Sequence, residues 1–355
     1  MRILTPTKYV MGVTAAVAVL AACSGGSSVP SAANGVQSPA LHVNSPRWPG
    51  AVSIIPAALR PIVPMPLRGI PAPESAKRGI YVNEFLGTSI FGFAKGNRAN
   101  GAPFCSVGPI NSANDIAVDG VGNLIDPDGG THSIQVFGGP GMCGARIGAV
   151  NDPFGQPAAA SSANAMRGVI AVADYTGKPV GGIALCTIRG GCTTNLINPS
   201  INQAVGVAMD ANGNCWESGD DASYAPNMTY FAGCAGSGVA ATGYKNTSIG
   251  GLDLDNAGNI VSIDGFANGT GQVYVYSGCN PACKVVGGPF PLHGEAFFGH
   301  LNKLNGRFAT GNFPNGQVDI YKYSPTSITY LYSFNNGLNA GLTVEGVAYN
   351  KRSEQ

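Results

Sequence analysis

Apolar positions along most of the chain come in short runs with an alternating period, cut by Gly, Asn, Asp and Pro, and no stretch sustains the three-to-four-residue spacing of a helix. The run DIAVD (Asp115–Asp119) leads through a turn to NLIDPD. VGVAMD (Val205–Asp210) leads through ANGN to CWES, and GLDLD (Gly251–Asp255) through NAGN to IVSID. Each phrase predicts a strand, a tight turn and a second strand. Two further runs complete the unit, such as HSIQVF with ARIGA or GQVYVYS with CKVVGG. The Asp or Asn that ends the first strand recurs as Asp119, Asn164, Asp210, Asp255, Asn305 and Asn350, at intervals of 45, 46, 45, 50 and 45 residues. Four short strands per repeat is the pattern of a propeller blade.

The last phrase, TVEGVAYN (Thr343–Asn350), has no second strand after it; the matching run lies far upstream as RGIYVNEF (Arg78–Phe85). Placing TVEGVAYN as the innermost strand of a blade completed by GIYVNEF, SIFGFAKG and PFCSVG brings the two ends of the domain into one sheet. The expectation is an all-β, six-bladed propeller of four-stranded blades over residues 78–355, closed by pairing of the C-terminal strand with the first blade. The recurring Asp and Asn read as turn formers, because a short side-chain oxygen accepts backbone N–H groups ahead of it and the following Gly supplies positive φ.

The order glycine, aliphatic, aspartate, turn, Gly-Asn, aliphatic in GVAMDANGNCW and GLDLDNAGNIV resembles the NHL-type and related six-bladed propellers. The resemblance runs over the whole domain, although PAAASSANAMRG in the third repeat and HLNKLNGR in the sixth depart from it. It implies a blade and names no chemistry.

Composition fits this architecture: Gly is 52 of 355 residues and charged residues are 11%, against about 7% and 25% in ordinary domains. A net charge of +1 without a Lys/Arg run leaves no footprint for nucleic acid. Residues 1–22 read as a signal peptide, with Arg2 and Lys8 ahead of an apolar run, Tyr9–Leu20, that ends in LAAC (Leu20–Cys23). This resembles the bacterial lipoprotein signal, which implies cleavage before Cys23, a diacylglycerol thioether on its sulfur and a membrane anchor. The rival is an ordinary secretory signal or an uncleaved anchor, although twelve apolar residues fall short of the ~20 of a spanning helix. Ser24 stands where the lipoprotein family carries an inner-membrane retention aspartate, which points to the outer membrane or cell surface. Residues 23–77 are rich in Ser, Ala and Pro and read as a disordered tether.

Eight cysteines remain in a compartment where disulfides persist. Blade register pairs Cys186 with Cys192 and Cys279 with Cys283 across hairpins, and places Cys215 beside Cys234. Cys105 and Cys143 lie near corresponding edges of successive blades, at a doubtful distance. Zinc ligation is the rival reading, but no further ligands accompany the cysteines. GPGMCG (Gly139–Gly144) matches a dinucleotide fingerprint only formally, since it falls between strands and opens no helix.

Five residues before each Asp or Asn of the series lies the start of the innermost strand: Asn114, Ala159, Val205, Gly250, His300 and Glu345. On this register Asn114, His300 and Glu345 converge at the channel mouth with Asp115 beside them. The loops after the second strands add Glu84, Asp128, Asp174, Asp220, Asp221 and Asp264. Such a mouth could hold a divalent cation, calcium or similar, or a polar ligand; solvated carboxylates and an incidental histidine are the plainer reading. In lactonase-like six-bladed propellers a carboxylate and amide set at this place holds a divalent ion. Two functions follow. One is a cell-envelope lipoprotein that presents the propeller as a binding or scaffold module for a protein, glycan or small molecule. The alternative is a metal-dependent hydrolase or lyase acting at the mouth.

Overall fold

The computed structural model describes residues 79–350 except 86, 95–96, 112–113, 120–121, 139–143, 162–167, 177–179 and 340–341. The expectations for the signal peptide, Cys23, the tether, Asn164, Cys143 and most of GPGMCG lie outside the described residues.

Six antiparallel four-stranded sheets follow one another around a ring. The first joins the two ends of the described propeller: β1 (Ile80–Glu84), β2 (Ile90–Phe93) and β3 (Cys105–Val107) are headed on the inside by the last strand, β24 (Val344–Tyr349). The register sets Ile80 opposite Tyr349, Tyr81 opposite Ala348 and Val82 opposite Val347. The second blade is β4 (Ala117–Val118), β5 (Leu124–Asp128), β6 (Ser133–Phe137) and β7 (Arg146–Asn151), and the third is β8 (Pro157–Ser161), β9 (Ile170–Asp174), β10 (Gly182–Thr187) and β11 (Gly191–Leu196). In the fourth run β12 (Gln203–Met209), β13 (Cys215–Asp220), β14 (Pro226–Phe231) and β15 (Val239–Ala240). The fifth has β16 (Leu252–Leu254), β17 (Ile260–Asp264), β18 (Gln272–Ser277) and β19 (Lys284–Pro291), and the sixth β20 (Gly299–Leu301), β21 (Arg307–Asn312), β22 (Gln317–Ser324) and β23 (Ser327–Phe334).

The turn chemistry is the expected one. Asp210 Oδ1 accepts the N–H of Asn212 at 2.9 Å and of Asn214 at 2.8 Å, while Gly213 takes φ 82°. Asp255 repeats the device with Ala257, Asn259 and Gly258. In the sixth blade Asn302, not Asn305, opens the turn: its side-chain oxygen accepts the N–H groups of Gly306 and Arg307, both at 2.9 Å, and Asn305 sits inside the turn at φ 51°. The intervals of 50 and 45 on either side of Asn305 thus become 47 and 48 around Asn302.

The apolar core lies between blades. Ala117, Ile125 and Ile134 of the second blade pack on Ile170, Val172 and Ala184 of the third. Trp216 and Met228 of the fourth pack on Leu252, Ile260 and Tyr276 of the fifth, where Trp216 Nε1 donates to the carbonyl of Cys279 at 2.6 Å. Disulfides join Cys186 to Cys192, Cys215 to Cys234 and Cys279 to Cys283. Cys105 is disulfide-bonded as well. A thiolate zinc site is excluded for all seven.

Candidate functional site

The innermost strands line a channel, and their corrected register decides what it contains. Two residues before the turn-opening Asp or Asn stand Ala117, Ala208, Asp253, His300 and Ala348. The sequence pairing of His300 with Asn114 and Glu345 therefore places His300 three residues too early in its strand. Its true counterpart in the fifth blade is Asp253, a residue the sequence reading passed over. The signal was present: GLDLD carries Asp where IAVD, VAMD and VAYN carry Ala.

His300 sits between two carboxylates. Its Nε2 lies 3.1 and 3.3 Å from the two oxygens of Asp115, and its Nδ1 lies 3.4 Å from Asp253 Oδ2. Asp253 is fixed in turn by the N–H of Leu301 at 2.7 Å and of Leu254 at 2.8 Å. Burial alone would lower the imidazole, but the charge and hydrogen bond of Asp115, joined by Asp253, outweigh it and push His300 up to about 10. At neutral pH the ring is an imidazolium donating from both nitrogens. Burial holds Asp115 above the usual carboxylate range, and the charge and hydrogen bond of His300 offset only part of that rise.

The other expected members are buried rather than open to solvent, at 6% exposure for Asn114 and 1% for Glu345. Asn114 Nδ2 points to the carbonyl of Pro157 at 3.4 Å. Burial, then the charge of Asp115, holds Glu345 well above the usual range, which favours its neutral acid. The counterpart of Asn114 and Glu345 in the sixth blade is Phe297. Phe297 and Phe298 pack with Ala158, Ala159, Val205 and Phe313 of the largest core cluster. Phe266 meets Phe297 edge-on at 4.5 Å and Phe313 does so at 5.3 Å. A Cβ on Gly251 would come within 2.9 Å of Phe298, so only glycine lets this ring pass. Beside His300, the space bounded by Ala117, Ser161, Asp253 and Tyr349 is about 30 Å³, enough for a water or two.

The loop carboxylates are not solvated either, with one exception. Asp264 accepts from the N–H and hydroxyl groups of Thr247 and Ser248 and from Gln272 Nε2. Asp128 accepts from Asn111, Thr131 and Gln135, and Glu84 from the backbone and side chain of Asn339. Each ties the loop before the innermost strand to the end of the second strand. Asp221 alone faces solvent, where Ser223 and Ala225 hold its carboxyl below the usual range.

No family model matches the chain, and no curated protein sequence does. Among solved structures, a chain of the nidogen/laminin complex matches with a TM-score of 0.56 at 12% identity, covering 78% of this chain and 99% of that one. A luciferin-regenerating enzyme matches with a TM-score of 0.46 at 11% identity, over 63% of this chain and 76% of that one. At such identity the first likeness speaks to architecture alone, and this chain is a six-bladed β-propeller of four-stranded antiparallel blades.

Proposed function

We propose that this protein is a bacterial envelope lipoprotein that displays a noncatalytic, NHL-like propeller as a binding or scaffold module, tethered through acylated Cys23 to the outer membrane or cell surface. The observation that carries the noncatalytic half is the filling of the channel. Phe297 and Phe298 pack at the start of the sixth blade's innermost strand, His300 is engaged on both nitrogens, and the cavity beside it is about 30 Å³, against the ~300 Å³ or more of ordinary ligand pockets. A partner protein or glycan would then be met by the outer faces of the ring. What supports the tether is the LAAC sequence.

Intact-mass measurement on protein extracted from membranes tests the anchor: residues 1–22 are expected to be absent and a lipid mass added at Cys23, while Cys23→Ser releases the protein from the membrane fraction. A soluble wild-type protein with a different N-terminus contradicts it. On the same material, the envelope components crosslinked through exposed Lys284 and Lys322 should be unchanged by Glu345→Gln, an isosteric change in the channel. Metal-dependent hydrolysis abolished by that substitution would replace the binding reading with the hydrolase one.

A further inference from the structure

The second strand of every blade ends on a carboxylate or amide: Glu84, Asp128, Asp174, Asp220, Asp264 and Asn312. Five of the six find donors. Glu84, Asp128 and Asp264 take N–H or amide groups of the preceding loop, as described above. Asp220 takes the backbone N–H of Gln203, and Asn312 Oδ1 accepts from Asn315 Nδ2 at 3.0 Å. Asp174 breaks the rule. It is 0% exposed, no N–H or hydroxyl donates to its oxygens, and the side chain within hydrogen-bonding reach of it is the carboxyl of Asp152.

What the third blade offers instead of a donor is a second acid. The loop before β8 brings Asp152 against Asp174, and a Cβ on Gly155 of that loop would lie 2.7 Å from the Asp174 carboxyl carbon, so the carboxylate is pressed onto this loop. Asp152 Oδ1 accepts the N–H of Phe154 at 2.9 Å, the N–H of Gly155 is also in reach of its carboxyl, and Oδ2 is met by no N–H or hydroxyl donor. The amide of Gln156 in the same loop reaches neither carboxylate. Glu217 on the adjoining blade, 0% exposed with both oxygens unpartnered, adds a third acid whose charge is felt by Asp174. His132 lies close enough to favour the charge of Asp152, but its Nδ1 is engaged with the Gly155 carbonyl at 2.9 Å. Two carboxylates in contact in a dry interior cannot both ionise unless a cation lies between them.

We propose that Asp152 and Asp174 form a binding site for a hard divalent cation of the calcium class, with Glu217 contributing negative charge from the next blade. The donors are all oxygen, which suits calcium and not a soft metal. Cys186 and Cys192, whose sulfurs approach Asp152, are joined in a disulfide and offer no thiolate. A bound cation would clamp the loop between the second and third blades, which the other blades secure with N–H donors.

The test is calcium titration, by calorimetry and by thermal melting, of the full domain stripped with a chelator at about pH 7.5. Expected are saturable binding and a rise in melting temperature with calcium. Asp174→Asn and Asp152→Asn should each weaken binding by about tenfold or more, while Asp220→Asn, at the same place in the next blade, stays within about twofold. Circular dichroism confirms that each variant is folded, and either of the two Asp variants suffices if the other is not. No binding by the wild type, or affinity unchanged in a folded Asp152→Asn or Asp174→Asn, overturns the site. A wild type indifferent to calcium that loses stability as pH rises through the carboxylate range overturns it too, in favour of a shared proton.

Discussion

Removing Leu342–Gln355 abolishes cooperative unfolding of the domain, whereas removing Ser24–Gly69 leaves its melting temperature nearly unchanged. The tail carries β24, all six residues of which are buried. Val344, Val347 and Tyr349 pack in the cluster that joins the sixth blade to the first, and each side chain of this kind stabilises by about 1.5–3 kcal/mol when buried. Losing β24 also strips β1 of its inner partner and leaves the end of the ring open along a hydrogen-bonding edge. Against a total stability of about 5–15 kcal/mol the sum is decisive. Circular dichroism melts of the two truncations make the comparison, and similar midpoints would contradict closure through β24.

The second large effect is expected at His300. His300→Ala leaves Asp115 and Asp253 facing each other in a dry channel with the intervening cation gone, and breaking a buried ion pair from one side costs about 3–5 kcal/mol. The pH dependence carries the signature. The imidazole has its folded-state value raised from 6.5 to about 10, so its contribution is full below about 6.5 and is lost as pH climbs through about 10. The stability gap between wild type and His300→Ala in urea melts should therefore be widest in mild acid and close in alkali. Replacing both aspartates by Asn in the His300→Ala background should recover much of the loss, because no uncompensated charge then remains. A gap under about 0.5 kcal/mol, as at a solvated surface position, would contradict the buried clamp.

Much of the fold was legible because a propeller writes itself repeatedly. VGVAMDANGNCW and GLDLDNAGNIV give turn and strand in one phrase, and TVEGVAYN is incomplete without RGIYVNEF. The hairpin cysteines followed from the same register. The site was less legible because it depends on register to the residue. NKLNG offers two asparagines, and counting from Asn305 instead of Asn302 sets His300 level with Glu345, hides its kinship with Asp253 and conceals Phe297 as the core residue at the start of that strand. Asp115 was found beside the expected arc, and it is the residue His300 touches. The burial of the loop acids could not be read from spacing at all: Asp264 and Asp174 occupy the same place in their blades, yet Thr247 and Ser248 meet one and Asp152 meets the other. That difference lies in how a loop folds back over a strand end.

If the channel is a closed core locked by an ion triad, the ring nitrogens of His300 report it directly. Nitrogen-15 shifts of a histidine-labelled domain, followed from about pH 5 to about pH 9, should show both nitrogens of His300 protonated throughout, with titration only near 10 and no response to added zinc or calcium. A His300 ring that titrates near its ordinary value of 6.5, or that shifts when metal is added, would contradict the locked channel and return the mouth to the list of working sites.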